Sequence, residues 1–161
     1  MSDSLSQPAT SGVQFPPPLY YLIGLLAGLA IQWGFPVRLS KPGHHLIMDT
    51  LGTGWILLGM LLGGWALYAL RRAGTSPNPH RATTALAVQG PYSVTRNPIY
   101  LGMAMVCIGI SLLANMMWPL LSVPVVVVAI DRLVILKEER YLEDRFDEAY
   151  VQYKSRVRRW I

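Results

Sequence analysis

The chain has 161 residues, of which 52% are apolar and only 14% are charged. That length suits one domain, and soluble domains carry roughly 25% charged residues, so the deficit points to a bilayer. The net charge of +5 does not read as nucleic-acid binding. The basic residues lie beside apolar runs, as in Arg71-Arg72 and from Lys154 to Arg159, where they meet anionic lipid, and no recognition-module signature is present.

Residues 1–18 are rich in Ser and Pro and have no basic n-region, so they read as a disordered leader rather than a signal peptide. Residues 19–161 form one integral membrane domain. Its first apolar run is Leu19 to Val37 and its second is Leu51 to Leu70. Gly24 and Gly28, and Gly59 and Gly63, form GxxxG pairs in these runs. Such pairs let helices pack closely and permit a homo-oligomer. They are not a nucleotide loop, because no βαβ unit surrounds them.

The longest polar stretch, Ala73 to Asn97, comes next. A third run extends from Pro98 to near Met117 and a fourth from near Trp118 to about Leu136, forming a tight hairpin. Beyond it, Leu142, Phe146, Ala149, Tyr150, Tyr153 and Val157 recur at helical spacing. They predict an amphipathic helix against the bundle or in the headgroup zone. The fold expected is therefore all-α and polytopic, with about four transmembrane helices and a C-terminal amphipathic helix. Arg71, Arg72, Arg81 and Arg96 flank one side of the bundle, and Lys137, Arg140 and Arg145 fall on that same side. That side reads as cytoplasmic, against Arg38 and Lys41 on the other.

Cys107 lies alone in an apolar run and reads as a small buried hydrophobe. His80 is a lone loop histidine, and His44 and His45 are adjacent rather than spaced for a helix face. No cluster has metal-ligand spacing, so no metal is expected. No nucleophile elbow appears either.

Two places concentrate polar groups. The first is Gly90-Pro91-Tyr92-Ser93-Val94-Thr95-Arg96-Asn97-Pro98-Ile99-Tyr100-Leu101-Gly102. Asn97-Pro98 reads as an N-cap with proline at the first helical position. A helix start of this kind offers free N–H groups and a dipole to an anion such as a carboxylate, or merely begins a helix while Arg96 meets lipid phosphate. The second is Glu138-Glu139 at the foot of the fourth run, where a carboxylate is costly unless paired or used. Arg96, Lys137 and Arg140 are candidate partners, and Asp131-Arg132 lies one to two turns deeper.

Together these places form the pattern Gly-x-Tyr-x3-Arg-Asn-Pro-x-Tyr-x-Gly, a helical hairpin, and Glu-Glu followed by Leu142, Phe146, Tyr150 and Tyr153. The pattern resembles the isoprenylcysteine carboxyl methyltransferase family and the related phospholipid N-methyltransferases, over roughly residues 75–160. The resemblance implies S-adenosyl-L-methionine as cofactor, bound at the cytoplasmic face. The contacts it implies are Thr84, Ala85, Leu86, Ala87, Tyr92, Arg96, Asn97, Pro98, Tyr100, Glu138 and Glu139. Arg96 and Arg132 are the candidates for a role in catalysis. Asn97 stands where eukaryotic members carry His, and Val134 where they carry a substrate-side arginine.

The acceptor implied is lipophilic and arrives from the bilayer. A carboxylate needs no base to attack a sulfonium methyl, whereas an amine must first lose a proton. With no base evident in the sequence, carboxyl methylation is the first expectation and phospholipid amine methylation the second. A non-enzymatic membrane partner protein is a third reading. A four-span exporter fits poorly, because it needs a free intramembrane carboxylate and Asp131 has an adjacent arginine.

Overall fold

The computed structural model of the protein describes residues 12–41, 45–76 and 83–161. Of the expected leader, residues 1–11 lie outside the described residues, as do His44, His80 and Arg81. The described part of the leader is ordered into the fold. Val13 is buried in the core, and helix α1 spans Pro17–Gly34. Proline at the start of a helix loses no hydrogen bond, which is why the Pro16-Pro17-Pro18 run can open one.

Helix α2 spans His45–Arg72, α3 Pro98–Leu113, α4 Met117–Ile130 and α5 Leu136–Arg156, with a π-helical turn at Asp131–Ile135 joining the last two. No strand is found among the described residues. Two helical stretches are long and apolar enough to cross a membrane: α2, and the stretch Met117–Arg156, whose apolar part is α4 and the π turn after it. Only 11% of the apolar window of α2 is buried. Leu57, Leu58, Met60, Leu61 and Trp65 all face outward. A soluble core helix would hide these side chains, so their exposure supports a lipid environment. Helix α1 has 18 residues and α3 has 16, which at 1.5 Å per residue gives each about 24–27 Å, short of roughly 30 Å of hydrocarbon.

Helices α2 and α3 pack through four glycines. A Cβ on Gly59 would lie 2.6 Å from the Gly102 carbonyl oxygen, and one on Gly109 would lie 2.6 Å from that of Gly52. The two pairs recur seven residues apart in antiparallel helices, so the backbones touch along two turns of each. Gly24 and Gly28 meet Val126 and the Pro119 backbone of α4. Gly102 packs across both members of the Gly59–Gly63 pair, since a Cβ on it would lie 2.7 Å from the Gly59 carbonyl oxygen and 3.2 Å from Gly63 N, while the Cβ position of Gly63 itself is open. Gly24, Gly28, Gly52 and Gly59 thus serve close contacts within this chain.

The turn between α3 and α4 breaks at Ala114–Met116, two to three residues before the expected boundary. Asn115 adopts φ 53°, a left-handed conformation that Asn tolerates. Its Oδ1 accepts a hydrogen bond from Ser40 N–H at 2.9 Å, and Trp118 Nε1 donates to the Phe35 carbonyl at 2.7 Å. The loops after α1 and after α3 therefore meet at one end of the bundle. All the polar groups singled out in the motif gather at the other end.

Candidate functional site

Helix α2 ends at Arg72, and Gly74 turns the chain back with φ 75°. The returning segment is pinned by hydrogen bonds. Thr84 N–H donates to Thr75 Oγ1 at 3.2 Å, Thr84 Oγ1 donates to the Gly74 carbonyl at 2.6 Å, and Thr83 N–H donates to the Tyr141 hydroxyl at 3.0 Å. A 3-10 turn at Gly90–Ser93 follows. Gly90 has φ 65°, and a Cβ there would press on Trp65 of α2 at 3.2 Å, so glycine suits both the angle and the space.

Asn97 precedes α3 as its N-cap residue, but its side chain makes no capping bond. Its Nδ2 instead donates to the Arg159 carbonyl at 3.0 Å. The expected side-chain cap is therefore replaced by a tertiary contact. Pro98 still opens the helix, and Tyr21 of α1 steadies it by donating from its hydroxyl to the Tyr100 carbonyl at 2.8 Å.

The π turn at Asp131–Ile135 inserts one residue into the α4–α5 helix. Such turns rotate everything after them and recur at functional sites. Here the first turn of α5 presents Glu138 and Glu139 toward the start of α3. The Tyr100 hydroxyl donates to Glu138 Oε1 at 2.8 Å. Arg96 Nη1 lies 3.0 Å from Glu139 Oε1. Helix α5 is not continuous, because Asp147 breaks it with φ 45° and ψ −125°. The break swings Tyr150 and Tyr153 back over the same site, and the Tyr153 hydroxyl donates to the Tyr92 carbonyl at 2.7 Å. Ala149, expected on the apolar stripe, is exposed.

These elements enclose a cleft of about 900 Å³, counting its open mouth. Of the residues the motif pointed to, Ala85, Leu86, Ala87, Tyr92, Arg96, Asn97, Pro98, Tyr100, Glu138 and Glu139 line it. Thr84 does not; its hydroxyl and N–H are spent on the turn after α2. Arg132 lies outside the cleft as well. Its side chain is 73% exposed and only loosely paired with Asp131 at 3.9 Å. It lines a second, shallower recess with Val127, Val128, Asp131, Arg159 and Trp160, and Arg96 reaches into both hollows.

Further lining residues, among them Tyr141, Tyr150 and Tyr153, were not assigned to the site from sequence. Tyr150 and Tyr153 were visible as stripe residues, but the break at Asp147 that aims them inward has no local sequence signal. Arg159 is the larger omission. The basic tail read as lipid-facing, yet Arg159 turns inward. Its Nε donates to Glu139 Oε1 at 3.0 Å and its Nη2 to Oε2 at 2.6 Å. Lys154, expected to meet lipid, pairs with Glu143.

The two carboxylates differ in consequence. Both oxygens of Glu139 face guanidinium groups, which leaves it a structural anion. Glu138 accepts from Tyr100 and forms no ion pair among the described residues. Burial pushes the Glu138 carboxyl up to about 7; the Tyr100 hydrogen bond pulls it down and the neighbouring Glu139 adds to the rise. Burial also raises the Tyr92 and Tyr153 phenols, so both stay neutral donors at ordinary pH.

Arg96 is the other unbalanced group. Its side chain is 10% exposed. Its Nη1 sits at ion-pair distance from Glu139, but the N–H directions miss the carboxylate, so neither Nη1 nor Nε has a hydrogen-bond acceptor. Buried donors without acceptors are costly. An acid near neutrality, a cation short of hydrogen-bond acceptors, neutral phenols and apolar walls from Ile135, Leu86 and Leu142 together suit a small molecule with both charges and a flat apolar part.

A protein of Haemophilus influenzae described as uncharacterized is 42% identical over 41 residues, which are 26% of this chain and 65% of that protein. The chain thus covers slightly less than two thirds of that relative's length. No solved structure matches. Residues 47–149 match the phospholipid methyltransferase family, a stretch from α2 to the last helix that takes in the whole Tyr92–Tyr100 turn and both glutamates; the chain belongs to that family.

Proposed function

We propose that this chain transfers a methyl group from S-adenosyl-L-methionine to a lipophilic acceptor held in the bilayer, with the cleft as the cofactor site. The observation that carries the reading is the meeting of Glu138, Tyr100 and Arg96 in one cleft (Tyr100 to Glu138 at 2.8 Å), where two buried Arg96 nitrogens lack a hydrogen-bond acceptor. S-adenosyl-L-methionine, when bound, supplies a methyl group already activated on a sulfonium. The protein's part is to align, hold charge and exclude water. Arg96 and the first turn of α3 offer donors to a carboxylate. Glu138 offers an anion to an ammonium group. Tyr92 and Tyr100 present neutral aromatic faces that suit a cation.

Four apolar helices cross the membrane in this reading, with α1 and α3 completed by the loops at their ends. The cleft end is cytoplasmic, because Arg71, Arg72, Arg96, Lys137, Arg140 and Arg145 gather there, against Arg38 and Lys41 at the other end.

The acceptor has two readings. Carboxyl methylation of a prenylcysteine rested on the lack of a general base. Glu138 is taken by the cofactor ammonium in this reading and is no free base; the amine acceptor, such as an aminophospholipid, is favoured instead by the match to the phospholipid methyltransferase family. Purified protein in nanodiscs, given labelled S-adenosyl-L-methionine, separates them. The amine reading expects label in aminophospholipid and none in a farnesylcysteine analogue. The reverse result returns the carboxyl reading. Label in neither, with no cofactor bound, leaves the non-enzymatic reading.

A further inference from the structure

The chain beyond Tyr153 has no part in the family match, which ends at residue 149, yet it is built into the site. At Val157 the backbone leaves the helix for an extended conformation. The last residues then fold back along the turn before α3. Arg96 N–H donates to the Arg158 carbonyl at 3.0 Å. Thr95 Oγ1 and Asn97 Nδ2 donate to the Arg159 carbonyl at 3.1 and 3.0 Å. Trp160 packs against the core and donates from Nε1 to Asp131 at 3.3 Å. The strap is anchored at both faces, and Arg159 projects from it into the wall between the cleft and the second recess.

There Arg159 takes both oxygens of Glu139, at 3.0 and 2.6 Å, and also reaches Asp131 at 3.3 Å. Arg96 competes for the same carboxylate but gains only an unaligned contact at 3.0 Å. A carboxylate beside two guanidinium groups forms its best paired bonds with one of them. The geometry points to Arg159 as a positioning residue: by saturating Glu139 it limits Arg96 to an unaligned contact with that carboxylate, and so keeps the Arg96 guanidinium at the cleft wall, available to turn toward the carboxylate of the bound cofactor. This rests on the cofactor reading of the cleft.

Without Arg159, the Arg96 contact with Glu139 becomes an aligned pair and holds the guanidinium away from the cofactor carboxylate. The loss falls on ligands that carry a carboxylate and spares those that do not. A merely loosened strap would weaken both kinds alike. Calorimetry on the full chain in nanodiscs compares S-adenosylhomocysteine, which carries the amino-acid end, with methylthioadenosine, which lacks it. Arg159→Gln is expected to weaken S-adenosylhomocysteine by about ten- to one-hundredfold, the worth of a charge-assisted pair, and to leave methylthioadenosine within about twofold. Arg159→Lys should fall between, since an ammonium cannot span both oxygens. It serves as the test if the glutamine variant does not fold. Asp131→Asn, which loosens the strap without touching Glu139, should change both ligands equally or not at all.

The inference is overturned if Arg159→Gln or Arg159→Lys binds S-adenosylhomocysteine as the wild type does, or if both ligands weaken by the same factor. Failure of the wild type to bind either ligand is a different result. It removes the cofactor reading, and this inference with it.

Discussion

Substituting Tyr100 by Phe removes one hydroxyl, the donor 2.8 Å from Glu138 Oε1. A hydrogen bond to an ionised group contributes about 1.5–3 kcal/mol, and its neutral counterpart about half as much. The difference between the two charge states is thus about 0.7–1.5 kcal/mol, or roughly 0.5–1 pH unit. The bond favours the ionised acid, so its loss moves Glu138 further up from about 7, to roughly 7.5–8. If ionised Glu138 receives the cofactor ammonium, affinity rises with pH and levels off above the acid's midpoint. S-adenosylhomocysteine titrated by calorimetry between about pH 5.5 and 8.5 should show a wild-type midpoint near 7 and a Tyr100→Phe midpoint shifted upward. At pH 7 the variant should bind about two- to fivefold more weakly, the ratio of the ionised fractions. A flat profile, or a midpoint that stays put or moves down, refutes this role for Glu138.

Other variants test the surrounding argument. Glu138 is raised in the folded protein, so the ligand-free protein loses stability as pH rises from about 4.5 to about 7. Glu138→Gln should abolish that loss, raising the melting temperature at pH 8 by the equivalent of at most about 3 kcal/mol while weakening cofactor binding. Glu139→Gln should do the opposite and destabilise by about 3 kcal/mol, because it leaves two guanidinium groups without their anion. Gly59→Ala forces a methyl group against the Gly102 carbonyl and should cost about 1–3 kcal/mol in thermal unfolding. Gly63→Ala, with open space at its Cβ, should be neutral or stabilising by up to about 1 kcal/mol. Arg132→Ala should leave cofactor affinity within about twofold, since that side chain is exposed outside the cleft.

Apolar runs and glycine spacing made the helices legible, because both are local features with a direct physical meaning. The motif turn was legible for the same reason: Pro98 begins a helix wherever it stands, and a glutamate pair at the foot of an apolar run requires an explanation. The details that shape the cleft were not local. Asn97 looks like a cap but is drawn away by a carbonyl 62 residues on. The π turn and the break at Asp147 change which face of α5 looks inward, and neither shows in a periodicity. Gly52 and Gly109 were hidden because a seven-residue spacing shows its use only when the partner helix is known. Arg159 was taken for a lipid-facing charge, since nothing in a basic tail tells which residue turns back.

The central claim is that the turn at Tyr92–Tyr100 and the start of α5 hold one cofactor between them. Ultraviolet crosslinking of labelled S-adenosyl-L-methionine to the protein in nanodiscs, with the labelled peptides mapped by mass spectrometry, tests it most directly. Label in both segments 83–100 and 135–153, competed away by S-adenosylhomocysteine, is the predicted result. Label confined to the α1 and α3–α4 loops at the other end of the bundle, or no competable label at all, would contradict it.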